Sequence, residues 1–99
     1  MITFVRTTNI APGKTAEALA FAHQIASLFE KITGHKASVS MPIGGNPFRI
    51  AWVVTYPDLA TVESTMQKMM SNADFMKMAE GGAGYFLPGS AHDEMWNSV

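Results

Sequence analysis

Three histidines, two arginines set inside apolar runs and four aromatics with polar tips are the side chains that invite a chemical reading. His23, His35 and His92 are the candidate acid-base groups, since imidazole is the side chain that titrates near neutral pH. His23 sits at the edge of an apolar helical stripe, from which it could reach a cleft as a base or stay half in water as a boundary residue. His35 follows Gly34 and reads as loop or strand start. His92-Asp93-Glu94 puts an imidazole beside two carboxylates, but no second histidine stands at helical spacing from it. A metal site therefore has no support, and the segment reads as a solvated tail. Arg6 and Arg49 interrupt strand-like runs, where an unpaired charge is costly. Either guanidinium could hold a carboxylate or phenolate ligand through its planar fork, or pair with a carboxylate such as Asp93 or Glu94.

Trp52, Tyr56, Tyr85 and Trp96 could wall an aromatic pocket. Trp52 lies mid-strand, so its indole N–H needs a hydrogen-bond partner if it is buried. Met66, Met69, Met70, Met76 and Met78 are soft side chains that fit irregular ligands, though at helical spacing they also serve as ordinary core filling. Gly81-Gly82-Ala83-Gly84 follows a helix and opens a strand, the reverse of a phosphate loop. It reads as a helix stop, with a flap over a cleft as the functional alternative.

The positioning elements come from periodicity. Ile2 to Ile10 alternates as a strand, and Ala11-Pro12-Gly13 breaks it. From Lys14 to Thr33 the period becomes helical, with Ala18, Ala22, Ile25, Phe29 and Ile32 as the apolar stripe and Gly34 as the left-handed stop. His35 to Met41 is a weak second strand. Pro42 to Pro47 turns the chain into Phe48–Tyr56, a β-branched and aromatic run that is apolar on both faces. Asp58 caps a second helix whose stripe is Leu59, Val62, Met66, Met69 and Met70. Ser71-Asn72-Ala73-Asp74 interrupts it, Phe75 to Glu80 adds one or two turns, and Tyr85-Phe86-Leu87 resumes strand character. The order is strand, helix, strand, strand, helix, strand.

Right-handed crossovers then make the first and third strands neighbours and put both helices on one sheet face. The expectation is an α+β, ferredoxin-like βαββαβ antiparallel sheet in a single domain over residues 1–99, with the run from Phe48 mid-sheet. A sheet whose second face is also partly apolar calls for a second cover, and another copy of the chain is the economical one.

Composition bounds the rest. Hydrophobic residues make up 47% and charged residues 15% of 99 residues, which favours association over a lone monomer. A net charge of −1 gives no basic footprint for nucleic acid. No apolar stretch approaches the roughly 20 residues that cross a bilayer, and the N-terminus reads as a strand rather than a signal peptide. The absence of cysteine excludes disulfides and thiolate chemistry and suits a reducing cytoplasm.

With this order, the break at Gly34 and the Ser71-Asn72-Ala73-Asp74-Phe75 segment closing the second helix, the chain resembles the dimeric α/β-barrel superfamily. That superfamily includes the antibiotic-biosynthesis monooxygenase-like, stress-responsive and NIPSNAP-like small proteins. The resemblance covers nearly the whole chain and is architectural. It implies two sheets facing each other across a dimer and, in some members, small-molecule pockets between sheet and helices. Its haem-degrading branch carries a histidine about one turn beyond that Phe, a Trp in the second helix and an Asn on the first strand. Here Ala79 stands one turn after Phe75, and the second helix has neither Trp nor His, while Asn9 lies near the end of its strand. Haem degradation is disfavoured, and no cofactor is expected.

Two functional readings follow. In one, a homodimeric domain binds a small apolar or aromatic molecule between sheet and helices, with Arg6, His23, Arg49, Trp52, Tyr56 and Tyr85 as candidate contacts and a cofactor-independent, monooxygenase-like oxidation as its possible chemistry. In the other, the dimer is a non-catalytic binding or assembly module. No catalytic residue is specified by any motif.

Overall fold

A computed structural model describes all residues from Met1 to Val99. The elements are β1 (Ile2–Asn9), α1 (Thr15–Thr33), β2 (Ser38–Ser40), β3 (Arg49–Tyr56), α2 (Leu59–Met70), α3 (Ala73–Gly81) and β4 (His92–Asn97). Local chemistry sets their ends. Gly34 stops α1 in the left-handed conformation, φ 77°, and its N–H donates to the Glu30 carbonyl. The Asp58 carboxylate accepts from the Thr61 N–H at 2.8 Å and starts α2. The Asn72 side chain accepts from the Phe75 N–H at 2.9 Å and starts α3, so the segment read as an interruption is a second cap.

The four strands form one antiparallel sheet in the order β2-β3-β1-β4. This is the ferredoxin-like arrangement, with β3 between β2 and β1 as its two-faced apolarity requires. Register sorts the faces. Ile2, Phe4, Arg6 and Thr8 stand opposite Tyr56, Val54, Trp52 and Ile50. Residues directly opposite share a face, and this face receives the helices. Thr3, Val5, Thr7 and Asn9 stand opposite Thr55, Val53, Ala51 and Arg49 on the other.

The fourth strand is not where the sequence pattern places it. Tyr85-Phe86-Leu87 contributes one bridge, Phe86 to Ile10, flanked by hydrogen bonds from Ala11 N–H to Tyr85 O and from Leu87 N–H to Asn9 O. Pro88 has no N–H to continue a ladder, and Gly89 turns the chain at φ 72°. The full partner of β1 is His92–Asn97, the segment expected to be a solvated tail. Its six residues are all exposed, because β4 is an edge strand without helical cover, and so it lacks the alternation by which strands are recognised. Ala83–Tyr85 is a single 3₁₀ turn, and within the glycine-rich stretch Gly82 is buried against the Phe21 ring.

Helical cover is concentrated on β2 and β3. Ile2, Phe29, Val54, Tyr56 and Val62 form one core cluster. Ile10, Ala18, Ala22 and Ile50 form another. In α2 the buried residues are Val62 and Thr65, while Leu59 and Met70 of the expected stripe face solvent.

Candidate functional site

Between the helices and the β1-β3 half of the sheet lies a cavity of about 330 Å³. Sixteen of its eighteen lining residues are hydrophobic, and the two polar ones, Arg6 and Thr8, both come from β1. The lining mixes small residues with large ones. Ala26, Ala37, Ala79 and Ala91 leave space that Phe4, Phe21, Phe29, Phe75 and Trp52 border without filling.

Arg6 stands opposite Asp93 in the β1-β4 register. Its Nε donates to Asp93 Oδ1 at 2.7 Å and its Nη2 to Asp93 Oδ2 at 2.8 Å, a bidentate pair. The side chains keep 45% and 40% of their exposure, which places the pair at the solvent edge of the cavity. The guanidinium carbon is also 5.7 Å from the centroid of the Phe4 ring. The hydrogen bond from Arg6 holds the Asp93 carboxyl below the usual carboxylate range, against the opposing effect of its partial burial. The same bond raises Arg6 further. Both groups are charged throughout the physiological range.

The other polar groups of the wall differ in how fully they are committed. The Trp52 indole N–H donates to the Ala22 carbonyl of α1 at 3.2 Å, so the partner it needed is the chain's own backbone. Ser90 Oγ donates to the Leu87 carbonyl at 2.7 Å and lies 3.1 Å from Thr8 Oγ1. With the Ser90 proton spent on Leu87, Thr8 is the donor to Ser90. Tyr56 is 3% exposed and lines the cavity. Burial pushes its hydroxyl above the ordinary phenol range, and the nearby Arg6 charge pulls it back only in part. The phenol is therefore neutral at physiological pH and is a hydrogen-bond donor.

Of the six residues singled out in the sequence, Arg6, Trp52 and Tyr56 meet on this wall. The other three lie elsewhere. His23 is exposed on α1 and borders a separate polar groove with Glu30, Lys36 and Ser38. Arg49 belongs to the opposite sheet face and pins the preceding loop, donating from Nε to the Asn46 carbonyl at 3.0 Å. Tyr85 packs beside Phe21, ring centroids 6.0 Å apart, against the second core cluster. The sequence reading missed the phenylalanines and alanines of the wall. They carry no polar group to single them out, and only the packing of helices on the sheet brings them together around one space. No group of three or more His, Asp or Glu is placed to hold a metal ion.

No family model matches the sequence, and no curated protein matches it. Its fold is nevertheless shared with solved structures. A NIPSNAP-domain protein from Burkholderia xenovorans superposes with a TM-score of 0.85 at 12% identity, covering 100% of this chain and 95% of that one. A NIPSNAP-family protein from Agrobacterium tumefaciens C58 gives 0.83 at 14% identity, covering 99% and 92%. A protein from Bordetella bronchiseptica, provisionally described as an antibiotic biosynthesis monooxygenase, gives 0.75 at 19% identity, covering 99% and 96%. The chain thus has the fold of the NIPSNAP-like and antibiotic-biosynthesis monooxygenase-like proteins.

Proposed function

We propose that this domain binds one small apolar or aromatic molecule in the cavity between sheet and helices. The observation that carries the reading is the lining itself: sixteen hydrophobic residues around about 330 Å³, with polar groups confined to a few points. Ligand sites have this character, and the volume lies at the small end of their range of about 300–1,000 Å³. Removing apolar ligand surface from water supplies the affinity, at roughly 25 cal/mol per Å² before the costs of association. Arg6 at the edge and Tyr56 within the wall orient the ligand, and Trp52 offers its ring face.

Binding has more support than catalysis. Proton abstraction would need a basic group within hydrogen-bond reach of the ligand. The wall offers a phenol held neutral and a guanidinium already paired with Asp93. The imidazole of His23 borders a different groove. A monooxygenase-like oxidation remains the activity suggested by the provisional name of the Bordetella protein.

The reading includes a homodimer, in a reducing cytoplasm that suits a chain without cysteine. Support comes from the sheet face away from the helices, which Val5, Ala51 and Val53 share with Trp96, itself 62% exposed. Apolar surface of this kind on so small a domain is commonly covered by a partner.

A thermal-shift screen with uncharged aromatic and alicyclic metabolites tests the cavity. At least one compound should raise the melting temperature saturably in the wild type. Ala79→Phe, which fills the cavity, should abolish the effect. A panel that stabilises nothing, or stabilises both proteins equally, refutes the reading. Sedimentation equilibrium at high protein concentration tests the dimer, and a monomer throughout would refute it.

A further inference from the structure

We infer that the Arg6–Asp93 pair makes the cavity selective for uncharged ligands over carboxylates of the same shape, with Asp93 as the specificity-determining residue. The inference rests on the binding reading above and adds the charge class of its ligand. An arginine at the edge of an apolar cavity is ordinarily the group that captures an anion, because its fork matches a carboxylate. Here that fork is already filled by both oxygens of Asp93, at 2.7 and 2.8 Å. The chain supplies its own carboxylate in the place a ligand carboxylate would take.

Asp93 is held there by backbone as well as by charge. It lies inside β4, directly across from Arg6 in a ladder that extends from Ile2 opposite Asn97 to Thr7 opposite His92. The position on β4 keeps its Cα in place even when the side chain moves. An incoming anion would have to strip Asp93 of both hydrogen bonds, or else sit beside it with one guanidinium shared between two negative charges. Either arrangement opposes binding, because a ligand anion finds no free guanidinium and is repelled by Asp93. An uncharged ligand meets neither obstacle.

The remaining polar features agree. The Trp52 N–H is committed to Ala22, and Thr8 to Ser90. Tyr56 makes no side-chain hydrogen bond within the chain, yet no buried polar side-chain atom is left unsatisfied, so its hydroxyl keeps some accessible surface on a residue that lines the cavity. A neutral phenol donor suits a carbonyl, ether or hydroxyl oxygen. The ligand class is therefore an uncharged apolar or aromatic compound bearing an oxygen acceptor.

The test uses 2-naphthol and 2-naphthoate at neutral pH, which share a ring system and differ in charge. Binding of each to the full chain is measured by calorimetry. The wild type should bind 2-naphthol saturably and at least tenfold more tightly than 2-naphthoate. Since naphthoate is intrinsically less apolar, the decisive quantity is the change in this ratio in Asp93→Asn, which keeps the shape of the side chain and frees the Arg6 charge. The ratio should shift toward naphthoate by at least tenfold. In the double variant Arg6→Gln, Asp93→Asn that gain should disappear while naphthol still binds. A wild type that binds naphthoate as tightly as naphthol, or a ratio unchanged in Asp93→Asn, overturns the charge selection and leaves cavity binding standing. Failure of both probes to bind any of the three proteins overturns cavity binding and this inference with it. Circular dichroism of each variant shows whether it is folded, and if Asp93→Asn is not, Asp93→Ser carries the same ratio test.

Discussion

Gly82→Ala isolates how tightly the glycine-rich corner is packed against the cavity wall. Gly82 is a residue for which backbone conformation is not the constraint: its φ of −94° and ψ of −3° suit alanine. On conformation alone the change would stabilise by about 0.4–1 kcal/mol, through the lost freedom of the unfolded chain. A Cβ at this position, however, would overlap the Phe21 ring, with three ring carbons as its nearest neighbours. Phe21 is itself confined, 6.0 Å from Tyr85 and 5.8 Å from Phe86 between ring centroids. It can yield by tilting into the cavity it lines, at an overpacking cost of about 1–3 kcal/mol. The net expectation is a loss of about 1 kcal/mol, which for a chain of this length lowers the melting temperature by roughly 4–8 °C. The ring's movement should also weaken binding of any ligand that stabilises the wild type. Urea and thermal unfolding of Gly82→Ala, Phe21→Leu and the double variant measure the effect. Leucine relieves the overlap, so the double variant should be more stable than the sum of the single changes allows. If Gly82→Ala melts at or above the wild type and the two changes simply add, the close packing of Gly82 on Phe21 is wrong.

Ile50→Ala removes a fully buried side chain at the centre of the second core cluster and should cost about 2–5 kcal/mol by chemical denaturation, more than any surface change on the same strand. Asn72→Ala deletes the cap that starts α3 and should cost about 1 kcal/mol, while Asn72→Asp restores the acceptor and most of the stability. The pH dependence of stability should report Asp93. Its folded carboxyl titrates below the unfolded one, so its contribution is present above about pH 4 and is lost as the pH falls through the lower folded value. Asp93→Asn should reduce that acid limb of the stability curve without removing it, since the Asp58 carboxyl is also held low by its bonds to Thr61; an unchanged limb would mean that the pair with Arg6 does not form in solution. The pair's exposure makes the contribution modest and sensitive to salt.

Periodicity was enough to read the parts of this fold in which one face is buried. The α1 stripe, the left-handed stop at Gly34 and the Asp58 cap are each written in a few neighbouring residues. The central position of β3 followed from apolar residues on both of its faces. Where burial is absent the pattern fails. Tyr85-Phe86-Leu87 has strand-like side chains because it packs on the core beside Trp52 and Phe21, whereas His92–Asn97 is a true strand with no burial to mark it. The capping role of Asn72 was hidden for a different reason: Ser71-Asn72-Ala73-Asp74 has the composition of a loop, and only the hydrogen bond to Phe75 marks the start of a helix.

The candidate site divides along the same line. Arg6 stands out as a charge inside a strand, Trp52 and Tyr56 as aromatics able to line a pocket, and all three meet at the cavity. His23 as a candidate base, Arg49 as an intrastrand charge and Tyr85 as a pocket aromatic lie elsewhere, since residue type does not fix which side of a helix or sheet a group occupies. The sequence alone determined β1, α1, β3, the start of α2 and the strand that had to lie inside the sheet, because hydrophobic burial writes its period into neighbouring residues. Only the tertiary structure decided that β4 brings Asp93 across from Arg6, 87 positions away, and that alanines from separate elements leave a cavity among the aromatics. Those outcomes depend on register and on complementary volumes between distant segments, and neither has a local period to betray it.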